Sequence, residues 1–256
     1  MKPRLPFTLF ACCLVALLGA ADQPAAKAEP IAKKGFGLPE RKGMDAHHLE
    51  LLTVGWFYNW GDSTKLTTHA QFVPMTFSGR REPPKGKEKI LLGFNEPDHL
   101  KQANLTPAAA LEKWPALVAK SETIIAPALA GNPLKSEWLT TFLKANPKVD
   151  AIAVHWYKGA DSARFIKDLE EIHAHFKKPL WVTEFAPQTM ADSAENPTKF
   201  TQAQVNTFIA ETTAFMEKTP WVSRYAWHHS GVGTSALFTK DGQLTETGKA
   251  YSAVKK

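Results

Sequence analysis

Two glutamates stand where this chain could do acid–base chemistry: Glu96, in Asn95-Glu96-Pro97-Asp98, and Glu184, in Thr183-Glu184-Phe185. Each closes an apolar run. Three other runs end in rings and polar groups: Asn59-Trp60-Gly61, His155-Trp156-Tyr157 and Ala226-Trp227-His228-His229. Paired carboxyls flanked by aromatics are what glycosidic bond hydrolysis requires. One group protonates the leaving oxygen, and the other attacks or stabilises the oxocarbenium-like centre. Flat rings suit the apolar C–H faces of pyranoses. Either glutamate alone is explained as well by capping a helix or pairing with a lysine. The two together, with the ring set, are harder to dismiss.

Competing chemistries lack their residues. His173 and His175 sit two apart on a helical stretch and do not share a face. His47-His48 and His228-His229 are adjacent pairs without a metalloprotease motif, so no metal centre and no cofactor is expected. There is no Gly-x-Ser-x-Gly elbow for a serine hydrolase.

The elements that must position these groups read as alternating strands and helices. Apolar runs bounded by turn residues recur at Gly35–Leu38, Thr53–Trp60, Gln71–Phe77, Lys89–Asn95, Thr123–Leu129, Ala151–Tyr157, Leu180–Phe185 and Arg224–His228. Most are near-continuous, the pattern of strands buried on both faces in a parallel sheet. Helical signals fall between several of them. Thr106-Pro107 is an N-cap followed by a first-turn proline. Trp138, Leu139, Phe142 and Leu143 line one face, and Phe165, Leu169, Ile172 and Phe176 another. Thr201 and Gln204 form a capping box before a stripe from Val205 to Met216. Only the short segment Met44–Leu52 joins the first two strands, and Ser78–Glu88 holds no helical pattern. The expectation is one compact (β/α)8 barrel over residues 35–256, with short first βα units and its chemistry at the strand C-terminal ends. A doubly wound open sheet would need a Gly-rich phosphate loop after the first strand, and none is present. Trp114 and Trp138 fall on helices as packing residues. Trp181, in mid-strand, is expected to pack outward against a helix.

The chain has 256 residues, 44% hydrophobic and 22% charged, enough for a sizeable core and too ordered for a disordered tail. Residues 1–20 carry Lys2 and Arg4, an apolar run from Leu9 to Leu18, and small residues at Gly19 and Ala20, with Ala21 following. That is the pattern of a secretory signal peptide, with a run short for a membrane span. Residues 21–34 read as a polar leader. Cleavage removes both cysteines and leaves 29 basic against 25 acidic side chains. The expected product is secreted or periplasmic, free of disulfides and not membrane-bound. It carries no basic block for nucleic acid and nothing that calls for an oligomer.

At Leu91–Asp98 (LLGFNEPD) and Leu180–Pro187 (LWVTEFAP) the sequence resembles the glycoside hydrolase family 128 barrels, a glycosyl hydrolase catalytic core in the clan of retaining (β/α)8 glycosidases. The resemblance extends over GWFYNWG at 55–61, FVPM at 72–75, QANLTP at 102–107, AVHWY at 153–157 and RYAW at 224–227. It implies endo-acting hydrolysis of β-1,3-glucan. It implies Glu96 as general acid/base, Glu184 as nucleophile, and Asn95 on the sugar 2-hydroxyl. Trp227 would floor the cleft, and His155 and Tyr157 would orient the nucleophile or sugar hydroxyls. Asn59 and Trp60, at the end of the second strand, are expected on the same sugar-binding rim. Two stretches depart from the family pattern at the cleft rim: Thr76-Phe77-Ser78 after FVPM, and His228-His229 after RYAW. A non-catalytic glucan-binding barrel, or a same-clan enzyme for another β-glycan, are the alternatives.

Two geometric expectations follow. Side chains alternate along a strand, so the adjacent Asn95 and Glu96 can both reach the cleft only if the strand breaks there, and Pro97 suits a break. Retaining chemistry puts the two carboxyls about 5–5.5 Å apart, against about 6.5–9.5 Å for inversion.

Overall fold

A computed structural model describes residues 1, 32–188, 200–228 and 233–255. The signal-like segment, most of the leader, and His229 lie outside the described residues. Eight parallel strands appear: β1 (Lys34–Gly37), β2 (Trp56–Tyr58), β3 (Gln71–Phe72), β4 (Glu88–Leu92), β5 (Ser121–Ile125), β6 (Ile152–Trp156), β7 (Leu180–Phe185) and β8 (Val222–His228). Six pair in the order β3-β2-β1-β8-β7-β6, and β4 pairs with β5. Single parallel bridges, Met75 with Leu92 and Ile125 with Ala151, join the two groups. The Thr76 amide donates to Leu92 O (3.1 Å) and the Ala126 amide to Ala151 O (2.9 Å), completing the ring. The fold is the expected (β/α)8 barrel, stitched most thinly on either side of β4-β5.

The helices follow their sequence signals. They are α1 (Ala46–Leu52), α2 (Pro107–Ala119), α3 (Glu137–Lys144), α4 (Ser162–Phe176), α5 (Gln202–Lys218) and α6 (Glu246–Ser252). Thr106 caps α2, whose Ala109 amide donates to its hydroxyl. Thr201 and Gln204 form the capping box of α5, each side chain accepting from the other's backbone N–H. No helix follows β2 or β3 among the described residues, so the βα units are shortest where the apolar periodicity was weakest.

Two apolar layers result. The outer one lies between strands and helices and holds Phe36, Val154, Trp156, Val182, Phe185 and Tyr225. The inner one fills the barrel with Trp56, Tyr58, Met75, Leu92, Trp181 and Ala226. Trp181 therefore faces inward, contrary to expectation, because Leu180 and Val182 take the outward positions of its strand. Its ring meets Trp56 edge-on at 5.2 Å. The Arg224 guanidinium lies 4.7 Å from Trp181 and 5.4 Å from Trp56. Gly35 is required beside them, since a Cβ there would sit 2.3 Å from the Trp56 indole.

The leader ends one residue earlier than the sequence indicated, because Lys34 is already in β1 and is buried. Its Nζ donates to Tyr251 O (3.3 Å), Ser252 O (3.1 Å), Val254 O (3.0 Å) and Thr53 Oγ1 (3.0 Å). Lys33 Nζ does the same for α5, donating to Met216 O (2.9 Å), Glu217 O (3.1 Å) and Thr219 O (2.8 Å). Two ammonium groups thus satisfy the orphan carbonyls, and oppose the negative ends, of two helices. Lys34→Met should destabilise the fold by roughly 2–3 kcal/mol, because it strands buried carbonyls. Urea unfolding measures this, and an unchanged midpoint would show that the cap is dispensable.

Candidate functional site

The site is built at the strand C-terminal ends from three local departures from regular structure. The first is in β7. Val182 pairs with Val154 but the next partners are Glu184 and His155, so Thr183 is an extra residue, and the register with β8 shifts over the same stretch. Strict alternation from the inward Trp181 would send Glu184 outward. The bulge re-aims it inward and lets Phe185 pack on Trp227 and Tyr225 in the outer layer.

The second departure resolves the Asn95-Glu96 puzzle. Regular β4 ends at Leu92. Asn95 still bridges to Ala128, and its side chain lines the cleft. Glu96 then adopts φ +44°, a left-handed backbone that costs about 1–2 kcal/mol for a residue with a Cβ. This turn, followed by Pro97, lets Asn95 line the cleft while Glu96 reaches His155 Nδ1 at 2.8 Å. The third is Trp60, with φ +58°, whose indole Nε1 donates to Glu184 Oε1 at 2.9 Å.

Glu184 is buried and surrounded by donors. Tyr58 OH lies 3.1 Å from its Oε1 and 3.0 Å from Thr183 O. Tyr157 OH donates to Oε2. His155 Nδ1 lies 2.8 Å from Glu96 Oε1 and 3.6 Å from Glu184 Oε2. One oxygen of each glutamate and one His155 nitrogen all lie within 4.8 Å of one another. Burial alone would raise the Glu184 pKa. The charges of His155 and His228 and the bonds from Tyr157 and Trp60 outweigh it, so its carboxyl titrates below the ordinary range. Burial likewise opposes charge on His155, but Glu184 and then Glu96 outweigh it and raise its pKa. Burial, then Glu184, pushes both Tyr58 and Tyr157 far up, which keeps them as O–H donors.

The same trio is the one described group whose donor atoms are close enough for a divalent ion. It fits such an ion poorly. The Glu184 oxygens already accept from Trp60, Tyr58 and Tyr157, and Glu96 Oε1 is bonded to His155. These are the surroundings of a free carboxylate beside a proton-carrying pair.

Most sequence-chosen residues meet here: Glu96, Glu184, His155, Tyr157, Trp60 and Asn95. Asn95 Oδ1 is buried without a partner, which leaves it an acceptor for a ligand hydroxyl. Asn59 lines the mouth but is spent on its own loop and on the turn after β1. Its Nδ2 donates to Glu40 Oε2 (2.6 Å) and Ser63 O (2.9 Å), and its Oδ1 accepts from the Gly61 amide (2.9 Å). Trp227 is a correction. It follows the inward Ala226, so alternation turns it into the outer layer, where it is fully buried. There it packs on Phe185 and Tyr251 and donates to Ser235 O at 3.0 Å. The cleft position falls to His228, whose ring stands edge-on to Tyr157 (5.4 Å) and Trp60 (6.0 Å). Tyr58 was missed, and His228, expected at the cleft rim, was given no role. Period-two alternation through Trp56, Tyr58 and Trp60, and through Arg224, Ala226 and His228, carried the signal for both.

Residues 37–251 match the family described as the glycosyl hydrolase catalytic core. The Alkali-sensitive linkage protein 1 of Schizosaccharomyces pombe is 29% identical over 218 residues, 77% of this chain, and the match spans 40% of that protein's length. A GH128 subgroup I endo-β-1,3-glucanase from Amycolatopsis mediterranei, solved with laminaritriose, superposes with a TM-score of 0.74 at 27% identity, covering 87% of this chain and 99% of that one. A GH128 subgroup V exo-β-1,3-glucanase from Cryptococcus neoformans gives 0.72 at 25% identity, covering 86% and 98%.

Trp227→Ala should cost about 3–5 kcal/mol of stability, the usual range for emptying a buried aromatic position. Denaturant melts read this. Full stability with lost turnover would return Trp227 to the cleft.

Proposed function

The chain belongs to the glycosyl hydrolase catalytic core family, within glycoside hydrolase family 128, and on that premise we propose that it is an exported, retaining endo-β-1,3-glucanase. The observation that carries the mechanism is the pair of carboxylates. Oxygens of Glu96 and Glu184 approach within 4.8 Å, slightly inside the expected spacing and well short of the gap an inverting water needs. The two groups also differ in kind. Glu184 is held as an anion by the charges of His155 and His228 and by N–H and O–H donors, as a nucleophile must be. Glu96 lies 2.8 Å from His155 Nδ1, a second titratable group with which it can exchange a proton.

In the first step Glu96 protonates the glycosidic oxygen while Glu184 attacks the anomeric carbon, forming a glycosyl-enzyme ester and releasing the leaving sugar. In the second, Glu96 takes a proton from water, which displaces Glu184. Tyr58, Tyr157 and Trp60 hold the Glu184 carboxylate in its attacking orientation, and their bonds to it weaken as its charge passes into the ester. Asn95 Oδ1 accepts from a sugar hydroxyl beside the reacting carbon. The substrate class is supported by the β-1,3-glucanase neighbours, endo action by a cavity open to solvent and lined from six strand ends, and export by the N-terminal pattern.

Wild-type protein should release reducing sugar from laminarin and curdlan, and not from xylan or mannan. Proton NMR should show the β-anomer of the product first. An initial α-anomer would sink the retaining mechanism, and activity on xylan alone would sink the substrate. Glu184→Gln should lose on the order of 10³-fold or more in kcat while staying folded, since an amide cannot form the ester.

The pH profile supplies a second check. Activity needs ionised Glu184, so the acid limb falls as pH drops through its lowered pKa. Tyr157→Phe removes a donor that lowers that pKa. The acid limb of kcat/KM should therefore move to higher pH. An unmoved limb would mean that Tyr157 does not tune Glu184.

A further inference from the structure

The cleft is a cavity of about 440 Å³ whose mouth carries three cations: Arg41 and Lys42, from the single turn Glu40–Lys42 after β1, and Arg81, from the loop before β4. All three are exposed, and none is ion-paired among the described residues. Among the residues lining the cavity the cations outnumber the acids, three to one. Glu40 spends its carboxylate on Asn59 Nδ2 (2.6 Å) and Thr64 Oγ1 (3.0 Å). Glu184 is the only acid lining the cavity with them, and its charge offsets one of the three.

A neutral glucan offers hydroxyls and ring faces. Trp60 and Phe77 line the same cavity for the faces, and Asn95 serves a hydroxyl. Nothing in such a ligand calls for three like charges gathered at one mouth, where they repel one another and raise the local potential. Guanidinium and ammonium groups in that arrangement match carboxylate or phosphate oxygens.

We propose that the cleft takes β-1,3-glucan chains bearing anionic substituents, carboxylate or phosphate ester, whose charges Arg41, Lys42 and Arg81 meet while the sugar rings lie along Trp60 and Phe77. The proposal rests on the glycosidase reading above and narrows its substrate. Exposed pairs are individually weak, so discrimination comes from the three acting together, and it is salt-sensitive.

Binding to the Glu184→Gln variant tests it, with neutral laminari-oligosaccharides, lightly carboxymethylated ones and lightly phosphorylated ones as probes. The charged probes should bind about tenfold tighter than the neutral one in about 0.02 M NaCl, with the preference gone in about 0.5 M. The carboxymethyl and phosphoryl arms show which anion is favoured. Adding R41Q, K42Q and R81Q to the same background should bring the ratio of charged to neutral affinities close to one. Equal affinities at low salt, or a preference that survives the triple change, would overturn the proposal. Laminarin hydrolysis by the wild type separates the two failures. Turnover without anion preference removes this inference alone, whereas no turnover on laminarin and no binding of any probe removes the glucanase reading beneath it.

Discussion

A carboxylate buried at the top of the barrel is the constraint around which the rest is arranged. Taking an ion of this size out of water costs several kcal/mol unless hydrogen bonds and opposite charge replace the solvent. Glu184 is repaid from three directions: β2 and the turn after it supply Tyr58 and Trp60, β6 supplies His155, and the residue after β6 supplies Tyr157. These groups converge only because β7 carries a bulge and Trp60 takes a left-handed backbone. The same donors that make the charge tolerable fix its direction, so preorganisation of the site and solvation of its anion are one arrangement.

The two ends of the barrel have divided the work. Toward its N-terminal end the interior is closed by Trp56 and Trp181 around Arg224, whose Nη2 donates to Gln71 Oε1 at 2.7 Å. Burial lowers the Arg224 pKa to about 10, which still leaves it a cation at neutral pH. Ring faces take the place of a carboxylate partner there. At the C-terminal end the interior is polar and open, and the positive-φ residues Trp60 and Glu96 stand there. Strain at that end is held by the packing beneath it.

What the sequence made legible follows from how local each signal is. The capping residues Thr106 and Thr201 act within one turn, and both helices start where they indicate. Near-continuous apolar runs identified all eight strands, and the strand-end rule found Glu96 and Glu184. Directions of side chains were less legible. LWVTEFAP reads as plain alternation, and the extra residue at Thr183 exists only through pairing with both neighbouring strands. The Trp227 position was misread for a related reason. The strand-end rule says that a residue is near the top, whereas alternation from Ala226 decides which way it faces. Asn95-Glu96-Pro97 announced a break in the strand, but not that a left-handed residue would make it.

The paired lysines before β1 bear on the order in which the molecule can be assembled. Lys33 reaches carbonyls 183–186 residues away, and Lys34 reaches carbonyls 217–220 residues away. The strand that begins the barrel therefore has no complete set of partners until the last helix has been synthesised. A growing chain can form local helices and neighbouring βα units early, but its first strand waits for β8 beside it and α6 behind it. Contacts so distant in sequence are slow to form, because the whole loop between them must close first. The seam between β1 and β8 thus joins segments from opposite ends of the barrel sequence and closes only when both are present.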